Sequence, residues 1–178
     1  MSYSLFHPHH KELLQEATVI AEEMTSDFFK LTPDHWRRAR YDILTLEGLE
    51  EEEISPHALA LVAKYHGCPR DRVLKSAFFD FYRICLQDHN ILKALEGCPD
   101  LSLLPLFLYI ITHELVHVVR FSQFQALFEA PEEQRKEEER QVHLLTQKIL
   151  IPLNSRELPR VIRYYEDHWQ GGWQHAHL

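Results

Sequence analysis

Residues 101–120 read LSLLPLFLYIITHELVHVVR, a long apolar stretch broken by a glutamate between two histidines. A helix that is apolar all round belongs inside a protein, and buried polar groups destabilise a core unless each finds a partner. The stretch therefore demands a fold that wraps it on every side and supplies His113, Glu114 and His117 with something to bind. The apolar run from Leu101 to Ile111 falls short of the ~20 residues needed to span a bilayer. Extending it toward Val119 would carry three polar side chains into lipid, so it reads as a buried helix.

A chain of 178 residues, 45% of them hydrophobic, can build one core around such a helix without staples. The net charge of −8 disfavours a nucleic-acid groove and an anionic membrane surface. Three cysteines (Cys68, Cys85 and Cys98), with no CxxC spacing, argue against a disulfide framework or zinc ribbon. A reducing cytoplasm is the default expectation. The repeated patterns HGCPRD and EGCPDL read as helix punctuation, with Gly67 and Gly97 near helix ends and Pro69 and Pro99 forbidding continuation. The N-terminus lacks the charged-then-apolar order of a secretory signal.

Helical periodicity dominates the rest. Apolar positions from Leu13 to Phe28 predict a helix over residues 10–29. Thr32 and Pro33 predict the cap and first residue of a second helix running toward Leu46. After the acidic connector EGLEEEEISP, Ser55-Pro56 predicts a short helix ending at Gly67. From Asp71 onward the residues are rich in β-formers. Leu74, Ala77, Phe78, Phe81, Tyr82 and Cys85 nonetheless recur at helical spacing, and the period predicts a helix. Ser102 is expected to cap the apolar helix, which would reach toward Phe128. A further helix should begin at Pro131 and stop before Pro152, and a last one should span residues 155–169, with 172–178 as a loose tail. The expected fold is mainly α, a single domain over residues 1–178, with at most a small peripheral sheet.

His113-Glu114-x-x-His117 has a specific physical logic. Histidines four apart leave one side of a helix and can reach one cation. Zinc accepts imidazole nitrogen at ~2.0–2.1 Å and favours about four ligands. Glu114, rotated ~100° from His113, can touch a metal-bound water without being a ligand. Imidazoles also tolerate iron, nickel or cobalt, but zinc is the expected metal. A di-iron bundle would require a second Glu-x-x-His motif starting at position 140, which is Arg140.

A third protein ligand is expected from EEERQVHLLTQKILIP, where Glu139 and His143 lie four apart and Glu138 points at the same face. With HELVH upstream, this segment resembles the gluzincin metallopeptidases, and among them the small ImmA/IrrE-like group. The likeness covers residues 109–152 and rests on the HExxH motif, Glu139, apolar residues at 142 and 145, Leu150 and Pro152. His143 stands where the family has Asn or Asp, and Leu145-Thr146 where it has Phe-Ala. The resemblance implies a zincin-like helical core, Glu139 as third ligand and Glu114 as general base. Glu138 and His143 remain alternatives for the ligand. Tyr164, Tyr165 and His168 are of the right type to stabilise an oxyanion. Two function classes follow. One is a zinc-dependent peptidase or related amide hydrolase acting on a peptide or protein. The other is a catalytically silent zinc-binding regulatory or interaction protein on the same scaffold.

Overall fold

Residues 3–67 and 79–168 are described by the computed structural model. In chain order they form α1 (Pro8–Phe29), α2 (Pro33–Arg38), β1 (Arg40–Leu44), β2 (Ala60–Gly67), β3 (Phe79–Leu86), α3 (Asp88–Gly97), α4 (Leu103–Ser122), α5 (Glu132–Leu150) and α6 (Leu158–His168). Short 3-10 turns cover Leu46–Gly48, Glu51–Glu53 and Ile151–Leu153. The architecture is mainly α with a small three-stranded sheet, as the sequence predicts.

The apolar helix α4 is the centre of the molecule. It packs along α1 on one side, against α5 and α6 on another, and onto β2 and β3. Its residues from Pro105 to Val119 are all buried. By length and composition α4 could cross a membrane, but 83% of the relevant stretch is covered by protein. It ends at Ser122, before the expected Phe128, where Phe124 turns into the left-handed region at φ 57°. Ser102 is its N-cap residue, yet the hydroxyl donates to Glu157 at 2.6 Å and makes no capping bond. That contact ties the start of α4 to the segment leading into α6.

The sheet corrects three helix expectations. Pro33 does start a helix, but α2 stops at Arg38 and the chain continues as β1. Ser55-Pro56 opens a turn: the Ser55 hydroxyl accepts from the backbone of His57 and Ala58, and β2 begins at Ala60. Gly67 therefore ends a strand, while Gly97 does close helix α3. The helix expected from Asp71 to Cys85 is β3 over its described part; Leu74, Ala77 and Phe78 lie outside the described residues, as do Cys68, Pro69 and the tail.

The physical reason is burial on both faces. Tyr82, Ile84 and Leu86 join the main core, whereas Cys85 packs with Leu61 and Ala63 on the other face. A strand buried on both sides reads as a continuous apolar run, and period alone cannot separate it from a buried helix. β3 is central, pairing parallel with β1 (Asp42 opposite Arg83) and antiparallel with β2 (Ala63 opposite Arg83). The acidic connector covers the second face. There Glu53, fully buried, accepts from the Tyr65 hydroxyl and from Arg83 at 3.3 Å, and Arg83 also forks onto Asp42. Buried Gln87 fixes the connector by accepting from Ser55 N and donating to the Glu53 carbonyl, each at 2.9 Å. Every charge in that layer has a partner, as burial requires.

Candidate metal centre

One stripe of α4 carries Tyr109, His113, His117 and Arg120, spaced at about one helical turn. Across it runs α5, which contributes Glu139. The carboxylate of Glu139 bridges the two imidazoles, with Oε2 at 3.2 Å from His113 Nε2 and Oε1 at 3.0 Å from His117 Nε2. The two rings lie 5.0 Å apart and nearly perpendicular. Their exposures are 2% for His113, 1% for His117 and 4% for Glu139. One ligand atom from each residue lies within 4.8 Å of the other two.

This donor set fits a metal ion. Tetrahedral bonds of ~2.0–2.1 Å place neighbouring ligand atoms about 3.3 Å apart, close to the nitrogen-to-oxygen separations here. Two neutral imidazoles and one carboxylate supply three ligands of the types zinc, iron, nickel and cobalt accept. A buried His-His-Glu group that could hold a metal ion is therefore present. Without an ion, the same three groups hold one another by charge-assisted hydrogen bonds.

The three groups are strongly coupled to one another. Burial opposes ionisation of Glu139, but the adjacent His117 and His113 outweigh it and hold the carboxyl well below its ordinary range. Burial likewise pulls His113 down, and Glu139 more than offsets it, so the imidazole is raised. Glu114, one residue along the helix and 5% exposed, goes the other way: desolvation dominates and raises its carboxyl above the usual value. Two carboxylates of one site are thus pushed apart, one fixed as an anion and one inclined to take a proton.

The other sequence candidates lie around this cluster. His143 does not belong to the His-His-Glu group: its Nδ1 is bonded to the Tyr109 hydroxyl and its Nε2 to Gln147 at 2.8 Å, with Glu166 at 3.8 Å. Glu138 is 8% exposed and forms a two-pronged ion pair with Arg120, the Nη2 contact being 2.8 Å. Of the aromatic candidates on α6, Tyr165 comes nearest, its ring 6.0 Å from His113 and 4.3 Å from Tyr109. Burial, then the charges of Glu114 and Glu139 with Tyr109 between them in weight, lift its phenol far above the ordinary value. Tyr164 and His168 stack on each other and line a separate pocket with His57, Asn90 and Lys93.

Sequence reasoning passed over Tyr109 and Arg120. Their signal was spacing, since Tyr109 precedes His113 by four and Arg120 follows His117 by three, which places both on the histidine stripe. The helices expected over β1 and β2 hid a further feature: both are outer strands of the sheet among the described residues, and β2 packs directly on α4. Compared with family models, with curated proteins and with solved structures, the chain matches none of them.

Proposed function

We propose that the protein is a zinc-dependent metallopeptidase or related amide hydrolase acting on a peptide or protein substrate. The observation that carries this reading is the convergence of His113, His117 and Glu139 in the core with a second, chemically distinct carboxylate, Glu114, beside them. A purely structural metal needs no buried base next to it. Here the chain buries one at the cost of a raised carboxyl pKa.

In this reading His113, His117 and Glu139 hold the metal. Bound there, zinc would polarise a scissile carbonyl and acidify an attacking water. Glu114 accepts the proton of that water and returns it to the leaving amine, a task suited to a carboxyl whose affinity for protons has been raised by burial. Tyr165, kept protonated by its surroundings, offers an O–H donor to the developing oxyanion. The outer strand β2, lying on α4, supplies an edge on which an extended peptide can be paired by backbone hydrogen bonds.

The depth of the site favours a second reading. With all four polar residues at 5% exposure or less, the same geometry suits a catalytically silent, metal-stabilised regulatory or interaction protein. Glu114→Gln separates the two. It keeps the size of the side chain and removes the base, so zinc content and fold should be retained. Hydrolysis of a peptide and protein panel should fall ~10²–10⁴-fold if Glu114 is the base. Equal cleavage by parent and variant removes Glu114 from the mechanism. No cleavage by a zinc-loaded parent leaves the silent reading.

A further inference from the structure

Two glutamates stand side by side on α5, and only one of them reaches the histidines. Glu138 and Glu139 are both nearly buried, at 8% and 4% exposure, and both face α4. Consecutive residues on a helix are rotated ~100° apart, so the two carboxylates meet different residues of the α4 stripe. The chain separates them with one cation. Arg120, on the α4 stripe one turn beyond His117, grips Glu138 through Nε and Nη2 and leaves Glu139 to the imidazoles.

We infer that Arg120 is a positioning residue whose ion pair with Glu138 keeps both partners off Glu139 and so leaves that carboxylate to the metal. The inference rests on the metal-binding part of the proposed function and goes beyond it. The α4 stripe meets α5 in two successive layers, imidazoles with Glu139 and guanidinium with Glu138. A guanidinium prefers a carboxylate it can fork onto, and the half-buried pair cannot be broken without leaving a charge uncompensated. Within reach of the stripe, Glu139 is the next carboxylate on α5. If Glu138 is removed, Arg120 is left without its partner and turns to Glu139, competing with the metal for it. Loss of a residue that is not a ligand should therefore weaken metal binding, and loss of the cation as well should restore it.

The test is a double-mutant cycle on the full chain, read as zinc affinity against a chromophoric chelator and as the visible spectrum of the cobalt-substituted protein. Glu138→Met should lower zinc affinity ~10–100-fold, the usual effect of losing a partner behind a ligand, and alter the cobalt spectrum. Glu138→Gln, which keeps an acceptor for Arg120, should lose less. The double variant R120M/E138M should return to within about threefold of the parent with the parent's spectrum, because no cation remains to claim Glu139. An ion pair that merely clamps α4 to α5 gives the opposite order, with the double variant no better than E138M. That order, or unchanged affinity and spectrum in both Glu138 variants, overturns the inference while leaving the metal site standing. A parent protein that takes up neither zinc nor cobalt overturns both. Circular dichroism of each metal-free variant confirms that the comparison is between folded proteins. Should E138M not fold, the E138Q and R120M/E138Q pair carries the same cycle.

Discussion

Glu139 Oε1 on α5 lies 3.0 Å from His117 Nε2 on α4, joining two helices that meet along the centre of the molecule. Removing that carboxylate removes one of three converging donors. Glu139→Ala is expected to lower zinc affinity by more than ~100-fold, beyond the range for losing a residue that only supports a ligand. His143→Ala, whose ring is committed to Tyr109 and Gln147, should keep near-stoichiometric metal. Elemental analysis of the purified variants checks both. Metal retained in Glu139→Ala and lost in His143→Ala would replace the His-His-Glu assignment with a three-histidine one.

Metal binding should also be visible as stability. A ligand that binds only the folded chain adds about 2.7 kcal/mol at 100 times its Kd. For a chain of this size that corresponds to a rise in Tm of roughly 5–11 °C at about 2–4 °C per kcal/mol. Differential scanning fluorimetry with and without zinc should show the rise in the parent and none in the double variant H113A/H117A.

Tyr165→Phe deletes one hydroxyl and leaves the aromatic packing against Tyr109 and His113 in place. If the phenol supports the oxyanion, kcat should fall ~10²–10³-fold at unchanged zinc content, the loss typical for one such donor. An unchanged kcat would reduce Tyr165 to a packing residue.

Acid should loosen the sheet before the helices. Burial opposes ionisation of Glu53, but Tyr65, the Glu50 backbone and Arg83 prevail and lower its carboxyl below the ordinary value. A depressed carboxyl contributes stability above the pKa of the unfolded chain and loses it as pH falls through the folded value. The contribution is therefore complete above about pH 4.5 and fades below it. Glu53→Gln should destabilise the protein at neutral pH by about 1–3 kcal/mol, the scale of a lost charged hydrogen bond. It should also flatten the loss of stability between about pH 4.5 and 3. Urea unfolding of the two proteins across that range measures both effects.

Helices α1, α4, α5 and α6 were legible because each carries its own evidence. α1 and α5 have long amphipathic repeats bounded by turn residues, and α4 is apolar enough that only a fully wrapped position suits it. β2 and β3 were not legible. ALVAKYHG and FDFYRICL satisfy helical and strand spacing together, since both faces of each strand are covered. Their state was decided by pairing partners distant in sequence, Ala60 with Leu86 and Arg40 with Phe81. Propensity for β structure pointed the right way there, and period misled.

At the site the same division holds. The sequence by itself determined that His113 and His117 share one side of a buried helix, with Glu114 beside them, because helical geometry fixes positions four apart without reference to the rest of the chain. It also confined the third donor to Glu138, Glu139 or His143. Tertiary structure alone decided among those three. With α5 packed on α4 through Val116, Val142 and Ile149, Glu138 meets Arg120 and His143 meets Tyr109, which leaves Glu139 facing the histidines. A choice between adjacent residues depends on what stands opposite them, and a linear pattern of one helix carries no record of that.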